Sequence, residues 1–149
     1  MEESELAWRL AVAMGAGGLV GLERELHNKR AGLRTNMLVA VGAAMYVCLS
    51  VMLTAEKGDV TRIIAQVVTG MGFLGAGVIM QQGLTVYGLT TAATLWCSAA
   101  LGCLAAAGSV YMTAIATGFV ILINSLSFLD TWLEKKKTGK PSTDRSKPS

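Results

Sequence analysis

Between Thr35 and Leu129 the chain carries four charged residues in 95 positions: Glu56, Lys57, Asp59 and Arg62. All four fall between positions 56 and 62, so the rest of that stretch has no formal charge. A domain folded in water needs charge distributed round its surface. A chain whose surface is lipid does not. Composition agrees, because charged residues make up 15% of the chain, against about 25% in ordinary soluble domains. The mean hydropathy is +0.50. A disordered segment and a nucleic-acid-binding module are both excluded on these grounds. The 149 residues leave room for one domain and no separate soluble catalytic unit.

Five apolar segments follow, at about 6–22, 35–54, 63–80, 89–107 and 111–129. Each approaches the roughly 17–25 residues that cross a bilayer as a helix. Their lengths and lack of alternation argue against strands, which span lipid only as closed barrels. The expected fold is therefore an all-α integral membrane protein, a bundle of about five transmembrane helices. Residues 1–133 form the membrane domain. The Lys-, Ser-, Thr- and Pro-rich stretch at 134–149 is expected to be a disordered basic tail.

Lys and Arg set the orientation. Arg24, Lys29, Arg30 and Arg34 follow segment one, and Lys135, Lys136, Lys137, Lys140, Arg145 and Lys147 follow segment five. With five crossings these ten lie on one side, and the loop at 55–62 contributes only Lys57 and Arg62 to the other. The expectation is an outside N-terminus and a cytoplasmic C-terminus. Arg9 is expected to snorkel outward. Trp8 and Trp132 fall near opposite interfaces.

Helices in lipid associate through small residues and polar links. Ala7, Ala11, Gly15 and Gly18 share one face of segment one. Ala65, Thr69, Gly72 and Ala76 do so in segment three, and Thr91, Thr94, Ser98, Gly102 and Ala105 in segment four. The expected packed core is segments one, three and four, with the bulkier two and five facing lipid or another subunit. Gly17 and Gly21 mark a second packing face on segment one. Segment three also holds Gly70, Gly72, Gly75 and Gly77 within eight residues. Such a run reads either as a broken or thinned helix lining a cavity or as a helix packed tightly on two sides.

Three constellations stand out. Glu23, Arg24 and Glu25, with Arg30, Arg34, Thr35 and Asn36, flank the mouth of segments one and two. The positive-inside bias needs no glutamates there, so ion pairs that fix geometry or a site are expected. Thr90, Thr91 and Thr94 lie near the start of segment four, where Thr90 or Thr91 is expected to cap the helix. Gln66 and Asn124 lie within or near apolar stretches and require partners. Cys48, Cys97 and Cys103 are odd in number and lack a C-x-x-C spacing, so no disulfide framework or zinc site is expected. No nucleophile–base set, phosphate-binding loop, heme or flavin motif is present, and no cofactor or metal is expected.

Four blocks carry a resemblance. These are Gly18-Leu19-Val20-Gly21-Leu22-Glu23-Arg24-Glu25, Ala31-Gly32-Leu33-Arg34-Thr35, Gly70-Met71-Gly72-Phe73-Leu74-Gly75-Ala76-Gly77-Val78-Ile79 and Gly88-Leu89-Thr90-Thr91-Ala92-Ala93-Thr94-Leu95-Trp96. In order and spacing they resemble the signature blocks of the MgtC/SapB family over about residues 6–129. The resemblance implies a multi-pass protein of the bacterial inner membrane with about five helices. It implies a role in adaptation to low magnesium and survival in host cells rather than established magnesium transport. It also implies a regulatory membrane partner, the F-type ATP synthase. Glu23, Arg24, Gly32, Arg34, Thr35, Gly72, Gly75, Gly77, Thr91, Trp96 and Cys97 occupy signature positions. MgtC-like members often carry a soluble C-terminal domain where this chain has its basic tail, and some carry Asn where Thr90 stands.

The function expected is non-enzymatic: regulation of ion or membrane-energy homeostasis through contacts with membrane partners, within the lipid bilayer and without nucleic acid. The alternative is an ion channel or transporter, formed as a homo-oligomer, with the glycine-rich third helix lining the path. Candidate functional residues are Glu23, Arg24, Glu25, Arg34, Thr35, Asn36, Thr69, Gly70, Gly72, Gly75, Gly77, Thr90, Thr91, Trp96 and Cys97.

Overall fold

The computed structural model describes residues 2–53 and 59–126. The expected basic tail, Trp132, Glu56, Lys57 and the last residues of segment five lie outside them. The order is α1 (Glu3–Leu26), α2 (Leu33–Leu53), α3 (Val60–Val78), β1 (Met80–Gln82), β2 (Thr85–Tyr87), α4 (Leu89–Ala106) and α5 (Val110–Ser125). Helices α1 to α4 are long and apolar enough to cross a membrane, and α5 is a shorter apolar helix.

Consecutive helices alternate in direction. Arg24 near the end of α1 meets Thr91 at the start of α4. Arg9 near the start of α1 donates to the carbonyl of Ala106 at the end of α4. The fold thus has an Arg24 end and an Arg9 end. Arg9 also pairs with Glu5, one turn nearer the N-terminus. A cation is favoured where helix carbonyls lose their intrahelical partners, and α4 ends beside it.

Helix α2 packs against α1 and α4, while α3 lies at the edge of the bundle. This corrects the expected core of segments one, three and four. The small residues Ala40, Ala43 and Ala44 of α2 are buried, and an added Cβ on Gly102 of α4 would lie 2.1 Å from the Ala40 carbonyl oxygen. Only backbone contact without side chains fits there. On α1 the buried face is Ala13, Ala16, Gly17, Val20, Gly21 and Arg24. Of the expected stripe, Ala7, Ala11 and Gly15 are exposed, and Gly18 is half-buried beside Met37 of α2. The second face proposed for α1 is the close one, since a Cβ on Gly17 would lie 2.6 Å from Asn36 O and one on Gly21 2.7 Å from Leu33 Cα. The stripe on α4 is buried throughout.

Segment three ends at Val78 rather than at position 80, and an antiparallel hairpin follows, pairing Met80 with Tyr87, Gln81 with Val86 and Gln82 with Thr85. Its two-residue turn is Gly83-Leu84, with Gly83 at φ +60°. Glycine at the first central position suits the turn whose twist matches a hairpin. Helix α4 then starts on Gly88, at φ +90°, where a Cβ would strike the Val78 carbonyl oxygen at 2.1 Å. Gly88 is the N-cap, with no side-chain cap bond. This overturns the expected cap by Thr90 or Thr91. At the other end Asp59 caps α3 by accepting from the Thr61 N–H at 3.0 Å. The hydrogen bonds from the Thr61 hydroxyl and N–H hold its carboxyl below the usual carboxylate range.

Candidate functional site

The polar groups gather at the Arg24 end, along one face of α4. Thr91, Thr94 and Ser98 stand three and four residues apart, so they share a face. Each is buried and each holds a different helix. Arg24 Nη2 of α1 donates to Thr91 Oγ1 at 2.8 Å. Thr94 Oγ1 shares its one hydrogen between the Thr90 carbonyl at 2.8 Å and Asn124 Oδ1 of α5 at 3.1 Å. Ser98 Oγ donates to Asn36 Oδ1 of α2 at 2.7 Å. The hydroxyls of α4 therefore tie three helices together rather than capping their own.

Arg24 is 3% exposed, and its Nη2 also donates to the Arg30 carbonyl at 3.1 Å. That bond fixes the α1–α2 loop, whose Asn28 and Ala31 sit at φ +52° and +56°. Asn36 Nδ2 donates to the Ala31 and Gly32 carbonyls at 2.6 and 2.9 Å, so the loop is held from both helices. Glu25 Oε2 accepts from the Leu33 N–H at 3.0 Å and satisfies an orphan donor at the start of α2. A Cβ on Gly32 would lie 2.9 Å from that carboxylate oxygen. Glu23 Oε1 lies 3.1 Å from His27 Nδ1.

These contacts bring together Glu23, Arg24, Glu25, Asn36 and Thr91 of the expected residues. Arg34 and Thr35 are exposed on the first turn of α2, and Thr90 is exposed beside Thr91, its carbonyl accepting from Thr94. Trp96 and Cys97 lie further along α4, partly exposed on a different face. The glycines of α3 are not brought to the cluster. Helix α3 runs unbroken, Gly75 faces Ala92, and nothing lies within 4 Å of a Cβ on Gly70, Gly72 or Gly77. Tight packing on two sides does not describe it, and the helix is thinned by its glycines without being broken. Thr69 bonds back to the Ala65 carbonyl at 2.9 Å on the same open face.

Two clefts flank α3. One of about 520 Å³ lies against α2, lined by Leu38, Gly42, Tyr46, Gln66, Gly70 and Leu74 among others. Gln66 faces this cleft, and among the described residues it has no interhelical hydrogen-bond partner of the kind expected for it. A second, of about 390 Å³, lies against α4 beside Trp96 and Cys103. Both are almost wholly apolar. Among the described residues no three of His, Cys, Asp or Glu come together as metal ligands.

The residues the sequence reading left out of the site are Ser98 and Asn124. Ser98 stood within a small-residue stripe, and only its placement opposite Asn36 separates a hydrogen-bonding hydroxyl from a small side chain. Asn124 carried its own signal, an amide in an apolar run.

The MgtC family model matches residues 10–132. The chain is 53% identical over 117 residues to Protein MgtC of Brucella abortus, covering 78% of this chain and 49% of that protein. It is 48% identical over 126 residues to Protein MgtC of Salmonella typhimurium, covering 82% and 53%. An uncharacterized protein of Synechocystis is 49% identical over 127 residues, covering 85% and 53%. The chain spans about half the length of these relatives. No solved structure matches. With four membrane-length helices and a family match over most of its length, this multi-pass membrane protein belongs to the MgtC family.

Proposed function

We propose that the protein is a non-enzymatic regulator of ion or membrane-energy homeostasis in the bacterial inner membrane, acting through helix contacts with a larger membrane protein. The observation that carries this reading is the open face of α3. Ala65, Thr69, Gly72 and Ala76 share that face and are exposed. Small residues admit close helix approach in lipid, and here none of the protein's own described helices covers them. The resemblance to MgtC proteins points to magnesium-linked conditions, and to the F-type ATP synthase as the first partner to examine. The orientation in this reading places the Arg24 end, with Lys29, Arg30 and Arg34, in the cytoplasm.

The test is a photo-crosslinking residue at Gly72 in magnesium-starved cells, with another at Ala114 of α5 for comparison. Crosslinks from Gly72 to a larger membrane protein, absent from Ala114, are expected. Recovery of self-contacts alone removes the main support. The transport alternative is tested separately, by magnesium, potassium and proton flux through liposomes holding wild type, Arg34→Ala or Glu25→Ala. Flux that either substitution abolishes would replace regulation by transport.

A further inference from the structure

Three buried polar atoms lack a hydrogen-bond partner among the described residues: Glu23 Oε2, Arg24 Nε and Asn124 Nδ2. The last two are donors on α1 and α5, and both side chains bond to α4. Arg24 bonds Thr91, and Asn124 bonds Thr94 one turn further along α4. Arg24 is 3% exposed and Asn124 7%. One turn deeper, Val20 of α1 and Val120 of α5 belong to an apolar layer with Ala16 and Leu101. At the junction of α1, α4 and α5 an apolar layer thus lies on one side of the two unpartnered donors.

Helix α4 begins at this point. No side chain caps it, so its first-turn N–H groups add partial positive charge beside the guanidinium. No carboxylate oxygen lies within 4.0 Å of a nitrogen of Arg24 among the described residues, where the ion pairs are Arg9–Glu5 and His27–Glu23. A buried cation with a free donor, a buried amide with a free donor and an uncapped helix start all call for an acceptor, and a negative one.

We propose that Arg24, Asn124 and the first turn of α4 form a binding site for a phosphate oxyanion. The assignment is independent of the regulatory reading above. Glu23 limits the charge of the ligand. Its carboxylate acts on Arg24 electrostatically, so a second negative charge would meet repulsion, which favours a monoanionic phosphodiester. Thr90 and Ser125, next in sequence to Thr91 and Asn124, are exposed. The ends of membrane helices lie at headgroup depth, and a helix start is a natural seat for phosphate. A lipid headgroup and free phosphate share this chemistry.

The test titrates purified protein in neutral detergent with short-chain phosphatidylglycerol and, separately, with sodium phosphate, reading the rise in unfolding temperature that ligand binding produces. Saturable stabilisation is expected. Phosphatidylglycerol acting alone identifies a headgroup site, and stabilisation by sodium phosphate identifies a site for the free anion. Asn124→Asp keeps the oxygen that accepts from Thr94 and replaces the free donor by a negative oxygen. It should weaken half-saturation at least about tenfold, the loss of one charge-assisted bond. Asn124→Ala should weaken it as well and serves if the aspartate variant does not fold. Arg34→Gln removes an exposed charge at the same end and should leave half-saturation unchanged. No stabilisation by either titrant overturns the site, as does equal weakening by Arg34→Gln. A junction that takes a carboxylate from another membrane protein would give the first of these results.

Discussion

At Gly102 an added Cβ meets backbone, the Ala40 carbonyl oxygen at 2.1 Å, not a side chain that can turn aside. Gly102→Val should therefore force α2 and α4 apart and lower stability by about 1–3 kcal/mol or more. At Gly118 nothing lies within 4 Å of the same atom, so Gly118→Ala should leave the unfolding temperature level or raised. Thermal unfolding in detergent separates the two. Asp59 carries the pH dependence that can be assigned. Its carboxyl is held below the usual range by Thr61, so its unfolded pKa is the higher one. The cap's contribution is fully present above the unfolded value, about 3.9, and is lost as pH falls through the folded value. Amide protection at the first turn of α3 should fall on acidification in the wild type, and Asp59→Ala should show the low-pH behaviour already at neutral pH. Unchanged protection in that variant would count against the cap.

At the scale of elements, spans could be read from hydropathy because length and composition suffice. Which helices touch could not. Ala40, Ala43 and Ala44 are as small as the residues of any stripe, but α2 looked bulky beside them because of Leu49, Val51 and Leu53. Burial needs the partner as well as the face. Glu25 was visible as a charge without use, and only the turn from α1 to α2 brings it to the Leu33 N–H. The hairpin was missed because six strand residues make little pattern, although Gly83 before Leu84 was the available signal. Its end, and the start of α4, are fixed by Gly88, where φ +90° and the nearby Val78 carbonyl both reject a side chain. Gly88→Ala should disturb the hairpin and the start of α4, weakening the Arg24–Thr91 bond. The readout is hydrogen exchange confined to residues 79–94.

For the whole molecule, alternating helices divide the polar groups between two ends, with Glu5 and Arg9 at one and Arg24, Asn36, Thr91 and Asn124 at the other. Single cysteines at Leu84 and Ser109, in a chain whose native cysteines are replaced, should react with an impermeant maleimide from opposite sides of the membrane. In cells Ser109→Cys should label from outside and Leu84→Cys only after lysis. The reverse pattern would invert the orientation.

The edge position of α3 has a consequence for the bilayer itself. The hollows on its two sides match hydrocarbon tails in polarity, so acyl chains are their natural filling. The helix is capped by Asp59 at one end and runs into the hairpin at the other, and in between the rest of the described chain leaves most of its surface uncovered. Its tilt should then follow chain length and unsaturation, while α1, α2 and α4 hold still. A membrane stiffened by cold or by saturated tails would reach this protein first as a change in how far α3 leans.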